Sequence, residues 1–257
     1  MFKIEDFDIK LNTKFIGRNF IYANSVSSTN SYLGENSKTL PNGSVILSEF
    51  QTDGKGRLKR SWYSNEGENL TFSILLNEGI NGLNLNHINL ATSLAVSSSI
   101  EHLYQLKADL KWPNDVLINN KKVSGILLES STKGSDIEKI VVGVGINVNQ
   151  NRFEGDFNIQ PTSVRHEMRK SIDREKFLSE VLNSFEELFF ELKNDSKSLL
   201  NKWRDKCRMI GEHIAIESDG KIKYGTFYDI DANGLMILKS GDKLEKITIG
   251  DVSVIKR

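Results

Sequence analysis

A glycine-rich and strongly basic segment between residues 51 and 62 has the clearest potential for chemistry in this sequence. It reads Gln51-Thr-Asp-Gly-Lys-Gly-Arg-Leu-Lys-Arg-Ser-Trp62. The glycines let the backbone approach an anion, the Lys and Arg side chains supply charge for phosphate oxygens, and Trp62 offers a flat face for a base. The segment suits a nucleoside triphosphate, but it is also compatible with a solvated basic loop or with a small patch that binds nucleic acid. Neither the P-loop nor the dinucleotide-binding fingerprint is present.

A second segment, Lys111-Trp-Pro-Asn-Asp115, interrupts a region that otherwise has the composition of β-strands. Proline removes a ladder donor, and Asn and Asp compete for backbone hydrogen bonds, so the segment is locally costly in a strand. A β-hairpin turned at Asn119-Asn120 would bring Lys122 back beside Lys111 and Asp115. Such a cluster of opposite charges is typical of a binding site, with an ordinary turn as the alternative.

Two shorter segments have equally open interpretations. Ser27-Ser-Thr-Asn30 is a typical helix cap, but its small polar side chains could also hydrogen-bond a compact polar head such as a ureido ring. Gly143 and Gly145 lie within an apolar strand, where they allow close approach by a ligand or by another backbone. Tight core packing explains the two glycines equally well.

The hydrophobic pattern predicts a larger α/β part followed by a small β-barrel. Alternating or continuous apolar runs predict strands at 44–50, 69–76, 110–112, 116–118, 121–129 and 137–148, and a long mobile loop at 51–68. Apolar residues at helical spacing predict helices at 86–106, 171–192 and 195–208. Short strands at 213–217, 221–228, 235–238 and 244–249 follow, so we predict domains at 1–209 and 210–257.

Composition limits the class of protein. Lys plus Arg equal Asp plus Glu at 34 each, so no net charge holds the whole chain to nucleic acid or to an anionic membrane. The N-terminus lacks the pattern of a signal peptide, and no apolar run approaches the length of a membrane span, which favours a cytoplasmic protein. The single cysteine, Cys207, excludes an internal disulfide and is expected to be structural.

Taken together and in their order along the chain, the four segments resemble the catalytic domain of biotin–protein ligases. The motifs that carry the resemblance are Ser28-Thr29-Asn30, Gln51, Gly54-Lys-Gly-Arg57 with Trp62, Lys111 to Asp115, Lys122 to Gly125, and Gly143 to Asn147. The resemblance covers nearly the whole chain. It implies a mixed-sheet α/β catalytic domain with a C-terminal SH3-like β-barrel.

The resemblance also implies roles for individual residues. Ser28, Thr29, Asn30 and Gln51 would hold the biotin ring, and Trp62 lies in the loop that would fold over the nucleotide. Catalysis would rest on Lys122, which would reach the biotin carboxylate and the α-phosphate, and on Arg57, which with its neighbours would lie on the carboxylate and phosphate of the intermediate. Further substrate-binding residues would be Gly54, Lys55, Gly56, Gly125, Gly143 and Asn147, supported by Lys111, Asn114 and Asp115.

Two positions depart from the family pattern. Lys55 stands where an Arg is usual, which keeps the charge but loses the bidentate fork. Lys59 stands where a second Gly is frequent, so a positive φ at that position is in doubt.

The resemblance further predicts ATP with Mg²⁺ as cofactors, biotin as substrate, and a biotin carboxyl carrier protein as the partner that accepts biotin on a lysine. Only residues 1–27 precede the Ser-Thr-Asn motif, so no specific DNA binding is expected, and a homodimer is left open. The alternatives are a lipoate or octanoate ligase of similar fold and a non-enzymatic module that binds nucleic acid through residues 54–60.

Overall fold

A seven-stranded mixed sheet forms the centre of the protein in the computed structural model, which describes residues 2–134, 136–218, 221–248 and 250–254. The sheet has the order β1-β2-β3-β7-β6-β5-β4, with β1 and β2 parallel and every other pair antiparallel. Its strands are β1 (Phe20–Val26), β2 (Val45–Gln51), β3 (Leu70–Leu76), β4 (Asp109–Lys111), β5 (Asp115–Ile118), β6 (Lys121–Lys133) and β7 (Asp136–Ile146). The predicted mixed sheet is therefore confirmed.

Helices cover both faces of this sheet. They are α1 (Ile4–Asp8), α2 (Thr29–Asn36), α3 (Leu85–Tyr104), α4 (Val164–Met168), α5 (Arg174–Asn194) and α6 (Ser196–Lys206). Strand alternation explains the two layers. In β2, Val45 and Leu47 belong to the main core with α3 and α5, whereas Ile46 packs with Leu33 of α2 on the opposite face.

The predicted long helices form where the capping residues allow them to begin and end. The Asp173 side chain accepts a hydrogen bond from the backbone of Lys176 and so starts α5, while Asp195 caps α6 in the same way. At the C-terminal end of α3, Gln105 adopts the left-handed conformation, with a φ of 56°, which ends the helix. None of the described helices combines the length and the apolar character needed to cross a bilayer.

The predicted hairpin turn at Asn119-Asn120 joins β5 to β6. Both residues have positive φ values, 51° and 62°, as a two-residue type I′ turn requires. The turn places β6 antiparallel to β5, and β6 continues into the centre of the sheet beside β7.

The C-terminal part forms a second, wholly antiparallel sheet of five strands. In chain order they are β8 (His213–Ser218), β9 (Lys221–Ile230), β10 (Met236–Ser240), β11 (Lys243–Ile247) and β12 (Asp251–Val254), and the sheet order is β11-β10-β9-β8-β12. Four of these strands were predicted. The end of the predicted strand at 244–249 lies partly outside the described residues, and β12 was not predicted.

Cys207 follows α6 and is buried, as expected of a structural cysteine. Burial raises the pKa of its thiol to about 12, so the reactive thiolate is disfavoured near neutral pH.

Candidate functional site

A cavity of about 2010 Å³ lies against one face of the large sheet and extends toward the second sheet. It brings together nearly all the residues that the sequence singled out. Those that line it are Ser28, Thr29, Asn30, Gln51, Lys55, Gly56, Arg57, Trp62, Lys111, Asn114, Asp115, Lys122, Gly125, Gly143 and Asn147. Gly54 is not among the lining residues.

One end of the cavity is lined by neutral polar side chains at the start of α2 and the end of β2, and the Lys55 ammonium lies beside them. Ser28 is the N-cap of α2, and its hydroxyl accepts a hydrogen bond from the backbone of Ser31. The Oε1 atom of Gln51 accepts from the backbone N–H of Thr29 at 2.7 Å and from its hydroxyl at 3.0 Å. The segment is thus both a helix cap and part of the cavity wall, and the orientation of the Gln51 amide is fixed.

Asn30 is held by two residues that the sequence did not single out, Ser73 and Glu129. Its Nδ2 donates to Oε2 of Glu129 at 2.7 Å and to the carbonyl of Leu127 at 3.2 Å, while its Oδ1 accepts from the Ser73 hydroxyl at 2.6 Å. Gly143 is necessary here because a Cβ atom at that position would lie 2.3 Å from the Asn30 Oδ1. A side chain of the protein itself, rather than another backbone, accounts for the close approach at Gly143.

The other end of the cavity is cationic, and a bulge in β6 creates it. Lys122 and Gly125 are three residues apart and would face opposite sides of a regular strand, but both line the cavity. The register between β5 and β6 shifts at this point, since Leu117 pairs with Lys122 whereas Val116 pairs with Ser124. The bulge therefore turns the Lys122 side chain toward the cavity.

Lys122 is fixed at both its side chain and its backbone. Its Nζ lies 2.6 Å from Oδ1 of Asp115, whose Oδ2 is 3.9 Å from Nζ of Lys111, as the predicted hairpin requires. Its backbone N–H donates to the carbonyl of Gln160 at 2.8 Å, and its carbonyl accepts from Asn147 Nδ2 at 3.5 Å. Asn147 therefore contacts the backbone of Lys122.

The basic segment forms a closed turn above the cavity. The backbone N–H of Trp62 donates to the Gly54 carbonyl at 2.8 Å, and the backbone N–H of Gly56 donates to the Arg60 carbonyl at 2.7 Å. Positive φ falls on Leu58, at 53°, and not on Lys59. The absence of glycine at Lys59 therefore does not conflict with the backbone of this turn.

The cations of this segment point in different directions. Arg57 Nη1 donates to Oδ1 of Asn114 at 3.2 Å, and Asn114 Nδ2 donates to the carbonyl of Ile126 at 2.6 Å. Arg57 is thereby joined to the same strand region as Lys122. Lys55 instead donates from Nζ to the hydroxyl of Ser31 at 2.8 Å, at the start of α2.

The indole of Trp62 lies across Gly145 and Gly125, two of the glycines that line the cavity. A Cβ atom at Gly145 would be 2.3 Å from the ring, and one at Gly125 would be 3.3 Å from it. The Lys122 ammonium lies 5.8 Å from the ring centroid, close enough for a cation–π interaction. Trp62 thus covers the region between the polar and cationic ends.

Sequence reasoning missed two parts of the cavity wall. One is the loop after β7, of which Arg152, Gln160 and Pro161 are members, and the other comes from the C-terminal part and includes Arg208, Glu212, Glu217 and Ile222. Neither part has a recognisable motif, and only the tertiary structure brings them to the cavity. Ser73, which lies behind the wall, did leave a signal in the sequence, since it is a polar residue within the apolar strand β3.

Comparison with known proteins identifies the family. Residues 22–147 match the model of the biotin/lipoate A/B protein ligase family, and residues 209–254 match the biotin protein ligase C terminal domain. A biotin–[acetyl-CoA-carboxylase] ligase of Paracoccus denitrificans is 30% identical over 200 residues, which cover 76% of this chain and 83% of that protein. The bifunctional ligase/repressor BirA of Bacillus subtilis is 29% identical over 258 residues, which cover 98% of this chain and 79% of that protein.

A solved structure shows the same fold. The biotin protein ligase from Aquifex aeolicus, determined in complex with biotin and ATP, has a TM-score of 0.82 and 31% sequence identity to this chain. The match covers 93% of this chain and 100% of that chain. The chain therefore belongs to the family of biotin–protein ligases.

Proposed function

We propose that this chain activates biotin with ATP to biotinyl-5′-AMP and transfers the biotin to a lysine of a biotin carboxyl carrier protein of the acetyl-CoA carboxylase type. The observation that carries the proposal is the division of this cavity into an end lined by neutral polar side chains and a cationic end. Its neutral polar end suits a ring that needs hydrogen bonds, and its cationic end suits a carboxylate beside phosphates. Family membership and the relatives named above support the same chemistry.

In the proposed arrangement, the biotin ring lies at the neutral polar end, against Ser28, Thr29, Asn30 and Gln51. Thr29, Asn30 and Gln51 are already fixed by hydrogen bonds among themselves and to Ser73, and Ser28 accepts from the backbone of Ser31, so little order has to be gained on binding. Gly143 leaves the space that Asn30 fills. The neutral polar end is therefore a preformed site for a compact polar ring.

The first half-reaction needs no protein nucleophile. A carboxylate oxygen of biotin attacks the α-phosphorus of ATP, the bond to the bridging oxygen of the β-phosphate breaks, and pyrophosphate leaves. Lys122 and Arg57 would neutralise the charge on the reacting groups. Asp115 would position Lys122, and Asn114 would position Arg57. Lys111 supports Asp115, and Lys55 and Gly56 belong to the turn that covers the phosphates.

In the second half-reaction, the amine of an acceptor lysine attacks the carbonyl carbon of the mixed anhydride. The bond from that carbon to the phosphate oxygen breaks, and AMP leaves. The cavity continues to the second sheet, where Glu217 and Ile222 line it, and this extension gives the acceptor room to approach. Trp62 and the turn above the cavity would exclude water until then.

Mg²⁺ would enter with ATP. Nucleotide-bound Mg²⁺ usually takes one or two carboxylates together with the phosphates. Asp115, the carboxylate at the cationic end of the cavity, is already paired with Lys122 and Lys111, and the described residues contain no group of three or more His, Cys, Asp or Glu side chains that could hold a metal independently. Mg²⁺ would therefore be held mainly by phosphate oxygens and water, and it would help to neutralise the phosphate charge.

We also propose the domain division at 1–209 and 210–257. Support comes from the five-stranded sheet, which begins at His213, and from the C-terminal family model, which matches from residue 209. The expected lack of specific DNA binding stays a prediction, and so does any self-association.

The test is pyrophosphate exchange into ATP, measured with biotin, with lipoate and with octanoate. We expect exchange with biotin alone, and we expect Lys122→Ala to reduce it by about 100-fold or more, the usual effect of removing a charge-stabilising donor. Lys121→Ala is the matched control, since this neighbouring lysine does not line the cavity. Exchange with lipoate or octanoate alone would assign the chain to the sister activity, and salt-dependent nucleic-acid binding without exchange would support a binding module.

A further inference from the structure

The motif Lys111 to Asp115 is held from behind by the C-terminal part of the chain. Trp112 is buried, and its indole Nε1 donates to the carbonyl of Gly234 at 3.1 Å. This hydrogen bond spans 122 positions in the sequence and joins the catalytic motif to the turn between β9 and β10. No motif in the sequence indicates it.

The turn that accepts this bond is internally fixed. The Gly234 N–H donates to the Asp231 carbonyl at 3.0 Å, and the Asp231 side chain accepts from the backbones of Asn233 and Leu235 at 2.8 and 3.0 Å. Gly234 has a φ of 74°, and a Cβ atom there would lie 3.0 Å from the Leu90 side chain. The position therefore requires glycine both for its conformation and for its contact with α3.

The same turn is docked onto the start of α3. His87 Nε2 lies 2.8 Å from the carbonyl of Ala232, and Asn86 Nδ2 donates to the carbonyl of Asn233 at 3.1 Å. From the next turn of α3, Asn89 Nδ2 donates to the carbonyl of Pro113 at 2.8 Å. The helix and the turn thus hold Trp112 and Pro113 between them.

A second connection lies at the other end of the motif. Arg208, just after α6, donates to Oδ2 of Asp109 at 3.1 Å, two residues before Lys111. The residues that follow Trp112 and Pro113 are Asn114, which binds Arg57, and Asp115, which binds Lys122. A displacement of Trp112 would therefore reach both cations of the site.

We infer that Trp112 and the turn Asp231–Gly234 are positioning elements for adenylation, so that the C-terminal sheet sets the placement of Arg57 and Lys122 although it need not touch the reacting atoms. The inference rests on the proposed function. It predicts an effect on the chemical step and not on recognition of the biotin ring, because Ser28, Thr29, Asn30 and Gln51 are held by a separate set of hydrogen bonds.

The test compares two tryptophans. Trp112→Phe removes the bond to Gly234 and keeps most of the ring, and Trp203→Phe is the matched control, because its buried indole also donates one hydrogen bond, to Ser93 at 3.2 Å. We expect both variants to lower Tm to a similar extent. Only Trp112→Phe should lower kcat for biotin-dependent pyrophosphate exchange, by about tenfold or more, since small misplacements in a site are costly. KM for biotin should change by less than about twofold, because the ring site is separate.

Asp231→Ala, which removes the carboxylate that accepts from the backbones of Asn233 and Leu235, provides a second variant in case Trp112→Phe does not fold, and the same loss of kcat with unchanged KM for biotin is expected. The inference is overturned if kcat of Trp112→Phe stays within about twofold of Trp203→Phe, or if KM for biotin rises as much as kcat falls. No biotin-dependent exchange by the unsubstituted protein would instead refute the proposed function, and the inference with it.

Discussion

The Nζ atom of Lys122 lies 2.6 Å from Oδ1 of Asp115, within a hairpin whose turn consists of two asparagines. The two side chains are only partly accessible to solvent, with 28% of Lys122 and 11% of Asp115 exposed. Screening by water is therefore weaker than for a surface pair, and the carboxylate can hold the ammonium in one place. This pair fixes the cation that faces the reacting phosphate in the proposed mechanism.

We expect Asp115→Asn to lower kcat for biotin-dependent pyrophosphate exchange by about 10- to 100-fold, because Lys122 loses the charge that orients it. KM for biotin should change little. Steady-state exchange kinetics with biotin as the varied substrate measure both values.

Glu191→Gln is the control for this prediction. It also neutralises the acid of an ion pair, with Nζ of Lys202 at 2.6 Å from Oε2 of Glu191, but on α5 and outside the cavity. Equal exchange rates for the Asp115 and Glu191 variants would show that the pair at Lys122 is not needed for adenylation.

The hairpin around Lys122 could be predicted from local sequence, but the direction of its side chain could not. Asn119-Asn120 is a local turn signal, so the antiparallel pairing of β5 with β6 follows directly. The bulge between Lys122 and Ser124 has no such signal. Regular alternation would have placed Lys122 and Gly125 on opposite faces of the sheet. The pairing of the strands was therefore predictable from the sequence, but the direction of the Lys122 side chain was not.

Contacts between distant segments explain most of what sequence reasoning missed. Asn30 meets Ser73 and Glu129 only because α2 packs on a sheet in which β3, β7 and β6 are neighbours. Likewise, Gly234 reaches Trp112 only after the second sheet has docked on α3. Motif spacing reports which residues do chemistry, but it contains little information about the residues that hold them.

Ser73 should therefore act on biotin recognition although it does not line the cavity. We expect Ser73→Ala to raise KM for biotin by about 5- to 10-fold, because Asn30 and Thr29 lose the single hydroxyl proton that they share, and such a hydrogen bond is worth about 1 kcal/mol. Exchange at saturating biotin should stay near the parent rate, since Lys122 and Arg57 are unaffected. Titration calorimetry with biotin gives an independent measure.

Ser97→Ala is the matched substitution, since Ser97 is equally buried and donates to the carbonyl of Ala108 at 2.7 Å, on α3 and away from the cavity. It should lower stability without changing KM for biotin. A Ser73→Ala variant that binds biotin as tightly as the parent would remove Ser73 from the recognition network.

A buried ion pair between Glu49 and Arg174 makes stability depend on pH at the acid end. Arg174 donates to Oε1 and Oε2 of Glu49 at 2.9 and 2.5 Å, and the Tyr22 hydroxyl donates to Oε1 at 2.7 Å. Burial by itself raises the pKa of Glu49, but the hydrogen bonds from Arg174 and Tyr22 outweigh it, so the pKa lies below its ordinary value of 4.5. This contribution to stability is present above pH 4.5 and is lost as the pH falls through the lowered pKa.

We expect Glu49→Gln to lower the free energy of unfolding near pH 7 by about 3–5 kcal/mol, because it leaves the Arg174 charge buried without a carboxylate. The variant should also lose less stability than the parent as the pH falls below 4.5, since glutamine does not titrate. Urea unfolding at a series of pH values measures both effects. Glu245→Gln is the control: the hydrogen bond from Lys223 lowers the pKa of Glu245, but this side chain is exposed on β11, so water already screens the interaction. Parallel pH profiles for Glu49→Gln and the parent would mean that another carboxylate governs acid unfolding.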